Sequence, residues 1–168
     1  MTLSMYQASV PVFLRALNNL IEILGKGAAY AEARKIDPAV LLNSRLYPDM
    51  FPLVRQVMIV TDTAKGGAAR LAGAEPPKYE DNETTFAQLV ERIHKTIAYL
   101  NSFKPAQIDG SEDRKVTLKV RDDTLTLDGM TFLLHRVLPN LFFHVTTAYD
   151  ILRHNGVDVG KKDYLGKF

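Results

Sequence analysis

Apolar residues recur every three or four positions near the start of the chain: Val10, Phe13, Leu14, Leu17, Leu20, Ile21 and Leu24. That period lines one face of a helix. It predicts a first helix from about Met5 to Ala31, with Pro11 near the start, where a missing N–H is tolerated. Gly25 and Gly27 are where such a helix would break. "KIDPAVLLNSRLYPDM" reads as a connection, because Asp37 and Tyr47 each precede a proline. Pro38 is placed to open a short helical turn.

A second long helix is predicted from about Pro48 to Leu71. Its first half carries Phe51, Leu53, Val54, Val57 and Met58, whereas "AKGGAARLAG" is nearly all small residues. Adjacent glycines in a helix cost roughly 1 kcal/mol each relative to alanine. Their presence is best explained by close approach of a neighbouring helix backbone. "GAEPPKYEDNETT" follows as a turn-rich linker. Asn82 or Thr84 would cap a third helix to about Phe103, with Phe86, Leu89, Ile93, Ile97 and Leu100 as its buried stripe.

The period then drops to two. "KVTLKVRDDTLTLDG" predicts a hairpin turning at Asp122-Asp123, with Val116–Val120 against Leu125–Leu127. A lone hairpin is marginal, so this one needs a packing surface. A fourth helix follows from about Met130 to Asn155, capped by Asp128 and ended by Gly156. Pro139 falls inside it and should kink it. This order leaves too little strand for an α/β sheet. It predicts an all-α fold, a four-helix bundle with a small hairpin before the last helix, in a single domain over residues 1–168.

Placed at about 100° per residue, the fourth helix puts Arg136, Asn140, His144, Thr147, Ile151 and His154 on one face. The rest of its surface is largely apolar, which implies burial on most sides and a homodimer of standard interface size, about 1,600 Å². On the second helix Gln56, Thr63 and Arg70 share a narrow face, and Gln56 and Thr63 would meet the polar stripe. Arg55 and Asp62 would form a separate ion pair. His94, His135 and His154 read as structural or surface residues.

Composition narrows the chemistry. There is no cysteine, which removes disulfides, thiolate catalysis and cysteine-based metal sites. The net charge of +2 gives no reason to expect a nucleic-acid or membrane-surface partner. No apolar run approaches the roughly 20 residues of a membrane helix, and no secretory signal opens the chain, so a cytoplasmic protein is expected. The basic "GKKDYLGKF" reads as a solvated tail.

"HVTTAYDILRHNGVDVG" resembles the last-helix signature of the DinB/YfiT-like superfamily, which is associated with metal-dependent enzymes. Leu152-Arg153 and Gly156-Val157-Asp158 match the tail of that signature. Through "LSMYQASVPVFLRALNNL", "LYPDMFPLVRQV", "DTAKGGAARLAG", "PNLFFHVTTAYDILRHNGV" and "GKKDYLG", nearly the whole chain also resembles a bacterial branch of the superfamily that carries the fold without an established activity. The resemblance implies a four-helix bundle, often dimeric, with a divalent metal held by one histidine of helix two and two of the last helix. Carried over, the second histidine of the last-helix pair is His144, the first falls on Asn140, and a following glutamine falls on Thr147. The helix-two histidine falls near Gln56, with Asp62 the other polar choice. Amide oxygens are weak ligands for zinc or nickel, so no bound metal is expected.

The expected function is therefore small-molecule binding in a polar pocket between helices two and four, formed by Gln56, Thr63, Asn140, His144, Thr147 and Tyr149. His144 is its one candidate metal ligand. The superfamily also implies a thiol S-transferase, for which His144 and Tyr149 are the available groups. A third reading is a dimeric structural or interaction protein.

Overall fold

A computed structural model describes residues 3–120 and 123–167. Helix α1 spans Val10–Arg34, α2 Pro38–Leu42, α3 Leu53–Leu71, α4 Phe86–Asn101 and α5 Pro105–Ile108. Strands β1 (Lys115–Val120) and β2 (Asp123–Asp128) follow. The last long helix is continuous in three parts: α6 (Gly129–Phe132), a π-helical turn (Leu133–Val137) and α7 (Leu138–His154). Helix α8, Lys161–Leu165, ends the order. The architecture is a four-helix bundle of α1, α3, α4 and α7, with a small antiparallel hairpin ahead of the last helix.

Local chemistry explains most boundaries. Pro11 lies in the first turn of α1, and Met5 is already buried ahead of it. The helix does not break at Gly25 or Gly27. Gly27 instead makes room for Leu152 and Phe86, whose atoms lie 3.0 and 3.2 Å from where a Cβ would stand. Asp37 caps α2 by accepting from the Ala39 amide, with Pro38 in the first turn. Helix α4 is capped by Thr85, one residue beyond the expected Thr84. Thr85 and Gln88 form a reciprocal capping box. Gly156, with φ of +90°, takes the left-handed position after α7, and the Val157 amide closes back to the Leu152 carbonyl at 3.0 Å.

Pro139 lies inside the continuous last helix, directly after the π turn, where the Leu138 amide closes back to the Leu133 carbonyl. The helix therefore continues past the proline by widening one turn.

The core runs through all four long helices, with Phe13, Leu17, Leu20, Leu53, Leu71, Leu89, Ile93, Leu100, Leu141 and Leu152 among its buried members. In the hairpin Val116 pairs with Leu127 and Leu118 with Leu125. The expected turn at Asp122-Asp123 falls partly on Asp122, which lies outside the described residues. Val116 is buried, and Leu118 and Leu127 pack against the core, so the hairpin finds its packing surface within the chain. The C-terminal segment is not a free tail. Asn19 donates to the Tyr164 carbonyl at 2.9 Å, Arg15 to that of Leu165 at 2.6 Å, and Lys26 pairs with Asp163 at 2.8 Å.

The small-residue half of α3 is buried, but by side chains rather than a neighbouring backbone. A Cβ on Gly67 would lie 2.8 Å from Val137 Cγ1 and 3.3 Å from Phe13 Cζ. Gly67→Leu is therefore expected to destabilise by about 1–3 kcal/mol, the usual range for overpacking. A urea midpoint equal to or above the parent's would contradict this. Gly66 differs: its Cβ would meet only the mobile end of Arg70, with Nη1 at 2.6 Å, so alanine there is tolerated once that side chain moves.

Candidate functional site

The polar faces predicted on α3 and the last helix do meet, in two layers. In the inner layer the Gln56 and His144 side chains are buried and joined, with Gln56 Oε1 2.6 Å from His144 Nδ1. Gln56 Nε2 donates to the Phe51 carbonyl at 2.9 Å, which turns the amide oxygen toward the ring. Nδ1 therefore carries the proton of the neutral imidazole and donates it. Phe143 packs edge-on against the ring at 5.1 Å between centroids.

Burial holds the His144 pKa below its ordinary value near 6.5. Protonation at this site therefore favours the unfolded chain. The stability it contributes is complete above about pH 6.5 and falls as the pH drops from there toward the lower folded value. Urea midpoints at pH 7.5 and 5.5 should separate more for the parent than for His144→Gln. Equal separations would contradict this.

In the outer layer Asn140 Nδ2 donates to Thr63 Oγ1 at 2.7 Å. These two side chains line a cleft of about 250 Å³ between α3, the last helix and β1. Gly66 and Gly67 contribute its α3 wall, with Asp62 and Arg70; Arg136, Val137 and Phe132 face them, and Leu118 and Lys119 come from the hairpin.

Thr63 and Asn140 thus stand in the cleft, while Gln56 and His144 form the buried pair behind it. Thr147 is buried, and its hydroxyl donates to the Phe143 carbonyl at 2.8 Å. Tyr149 lies elsewhere: its hydroxyl donates to the Val159 carbonyl at 3.4 Å, and its ring meets Tyr164 edge-on. The structure does not bring His144 and Tyr149 together.

Sequence reasoning did not assign Gly66, Leu118, Lys119 or Arg136 to the cleft, and named Asp62 only as the alternative to Gln56 near His144. Arg136 shared a helical face with Asn140, and Arg70 shared one with Thr63, so those signals were present. Lys119 reaches the cleft through tertiary packing of the hairpin, which no local pattern reports.

The expected Arg55–Asp62 pair does not form. Arg55 pairs with Asp81, while Asp62 pairs with Lys65 at 2.5 Å and Arg92 at 2.9 Å. Arg92 is 2% exposed and also reaches Glu83 at 3.0 Å, Asp81 at 3.1 Å and Thr61 at 2.7 Å. This network ties the linker between α3 and α4 to the bundle and occupies the Asp62 carboxylate.

The family profile for the domain of unknown function DUF1993 matches residues 5–165. The chain belongs to this DinB-like family. A DUF1993 assignment over that span agrees with a solved structure, described as a DinB family member protein from Shewanella denitrificans. It is similar to this chain at 46% identity and a TM-score of 0.87, covering 97% of this chain and 92% of that one. No protein of curated function matches the chain.

The wider DinB resemblance implies a divalent metal held by three histidines, and the residues of this DUF1993 chain do not fit that group. Where the resemblance would put the ligands there are one imidazole and two carboxamides or, with Asp62 in place of Gln56, one carboxamide and a carboxylate that Lys65 and Arg92 already hold. Gln56 spends its amide oxygen on His144 Nδ1, which leaves Nε2 as the one imidazole nitrogen that could ligate, and Asn140 is turned to Thr63. Among the described residues no three His, Asp or Glu side chains cluster to hold a metal ion. Neutral amide oxygens do not replace imidazoles toward zinc or nickel.

Proposed function

We propose that this protein binds a small molecule in the cleft between α3 and the last helix, acting as a single domain without the three-histidine metal centre. The observation that supports the reading is the cleft itself. It is polar and opens beside two glycines, with Thr63 and Asn140 fixed to each other at its wall. Small-molecule sites are concave, with a few placed polar groups. The buried Gln56–His144 pair behind the cleft acts as a brace: it satisfies two polar side chains and holds the last helix in register with α3.

Ligand-observed NMR with a fragment library tests the reading. Some fragments should bind the parent and lose binding in Asn140→Leu, which removes the cleft amide from an exposed position. A library with no hits, or hits indifferent to Asn140→Leu and Thr63→Val, would contradict it. Elemental analysis of untagged protein should find well under one equivalent of zinc or nickel per chain; a full equivalent lost in His144→Ala would overturn the metal-free part.

Self-association is supported by the large apolar side chains that the last helix leaves in solvent. Met130 is 45% exposed, Leu134 44%, Phe142 39% and Phe143 54%. Side chains of this kind are enriched at interfaces between chains. Light scattering at micromolar concentration should give twice the 18.8 kDa chain mass; a monomer mass would refute the homodimer.

A further inference from the structure

We infer that the cleft takes an oxyanion, a small molecule carrying a carboxylate or phosphate, and that Arg70 and Arg136 hold it. This rests on the small-molecule reading above and names the ligand's chemistry. Three cationic side chains line the cleft, Arg70, Arg136 and Lys119, against one carboxylate, Asp62. That carboxylate is already engaged by Lys65 at 2.5 Å and Arg92 at 2.9 Å, so it does not neutralise the cleft.

The two arginines differ in a useful way. Arg70 lies over Gly66, donating one N–H to the Gly66 carbonyl at 3.1 Å, with Nη1 2.6 Å from the place a Cβ would fill. The absence of a side chain at position 66 is what lets the guanidinium settle there. One tether leaves its other N–H groups for a ligand. Arg136 stands on the π turn facing it, exposed, its side chain making no hydrogen bond or ion pair to any of the described residues. Widened turns of this kind recur at functional sites. A guanidinium presents a planar fork that matches a carboxylate or phosphate. Asn140 donates to Thr63 Oγ1, which leaves the Thr63 hydroxyl proton as a further donor toward the cleft.

Titration of ¹⁵N-labelled protein with inorganic phosphate, succinate and the neutral succinamide, at constant ionic strength, tests this. Phosphate or succinate should give saturable shifts at Thr63, Gly66, Arg70, Arg136 and Asn140, and the tighter of the two identifies the oxyanion class. Succinamide should bind at least about tenfold more weakly than succinate, and Arg136→Gln should weaken the preferred anion by about tenfold, as loss of a charged hydrogen-bond partner does. Gly66→Ala keeps every charge but displaces Arg70. It should weaken the anion several-fold while the melting temperature holds or rises. If neither anion gives saturable shifts, if succinamide matches succinate, or if both variants bind like the parent, the oxyanion assignment is overturned. In that event neutral fragments that still shift the cleft amides leave the small-molecule reading standing, and their failure too removes both.

Discussion

Arg92→Met should lower stability by about 3 kcal/mol, the low end for breaking a buried ion pair by removing one partner. Arg92 is 2% exposed and reaches Asp62, Asp81 and Glu83 at 2.9 to 3.1 Å. The methylene stem of methionine fills much of the space, so the loss is electrostatic rather than a cavity. Asp62 keeps Lys65 and Asp81 keeps Arg55, both partly in solvent, which holds the cost below the upper end. Glu83, 12% exposed, loses its cationic partner, and Thr61 Oγ1 loses a donor. Burial pushes the Asp81 carboxyl upward, but Arg55 and Arg92 more than offset this and hold its pKa below the usual value. The stability it contributes is present at neutral pH and lost in acid, as the pH falls through the folded pKa. The variant should therefore also lose part of the parent's acid sensitivity. A urea unfolding free energy within about 1 kcal/mol of the parent would show that the network adds little.

Gly129→Ala should be comparably damaging, at roughly 3 kcal/mol, the upper end of overpacking costs. Gly129 opens the last helix, and a Cβ there would overlap the Ser111 carbonyl oxygen and crowd Ser111 C at 3.1 Å. The clash is with backbone, so no rotamer change relieves it. The next amide, Met130, is fixed to the Glu112 carbonyl at 2.9 Å, which pins the two segments together. Either that bond or the start of α6 must move. Position 129 has an ordinary backbone conformation, so glycine is required there for space alone. A melting temperature equal to the parent's would show that this junction yields freely.

The first and third predicted helices were legible because their apolar period is long and regular, Val10 to Leu24 and Phe86 to Leu100 each burying one side. The last was legible as a long apolar run, but it leaves Leu134, Phe142 and Phe143 in solvent rather than burying most sides within the chain. The hairpin was legible because its period changes and its register keeps Val116 opposite Leu127. The contacts of Gln56 with His144 and Thr63 with Asn140 were within reach of a helical wheel, since both faces are narrow and polar. The division of those residues into a buried pair and an open cleft was not. It depends on where the hairpin packs, which brings Leu118 and Lys119 to the cleft and which no local pattern reports. The Arg92 network was equally hidden, because its partners come from an irregular linker with no period. The docked C-terminal segment was misread because a short basic stretch reports its charge, whereas its placement comes from Asn19 and Arg15 on α1.

The central claim is that the cleft between α3 and the last helix is the ligand site. Crystals soaked with a mixed library of small carboxylates, phosphates and neutral fragments test it most directly. The account predicts bound density within hydrogen-bond distance of Thr63, Arg70, Arg136 or Asn140, absent from crystals of Asn140→Leu. Density only at other surfaces of the bundle, with this cleft filled by water at every soak, would contradict it.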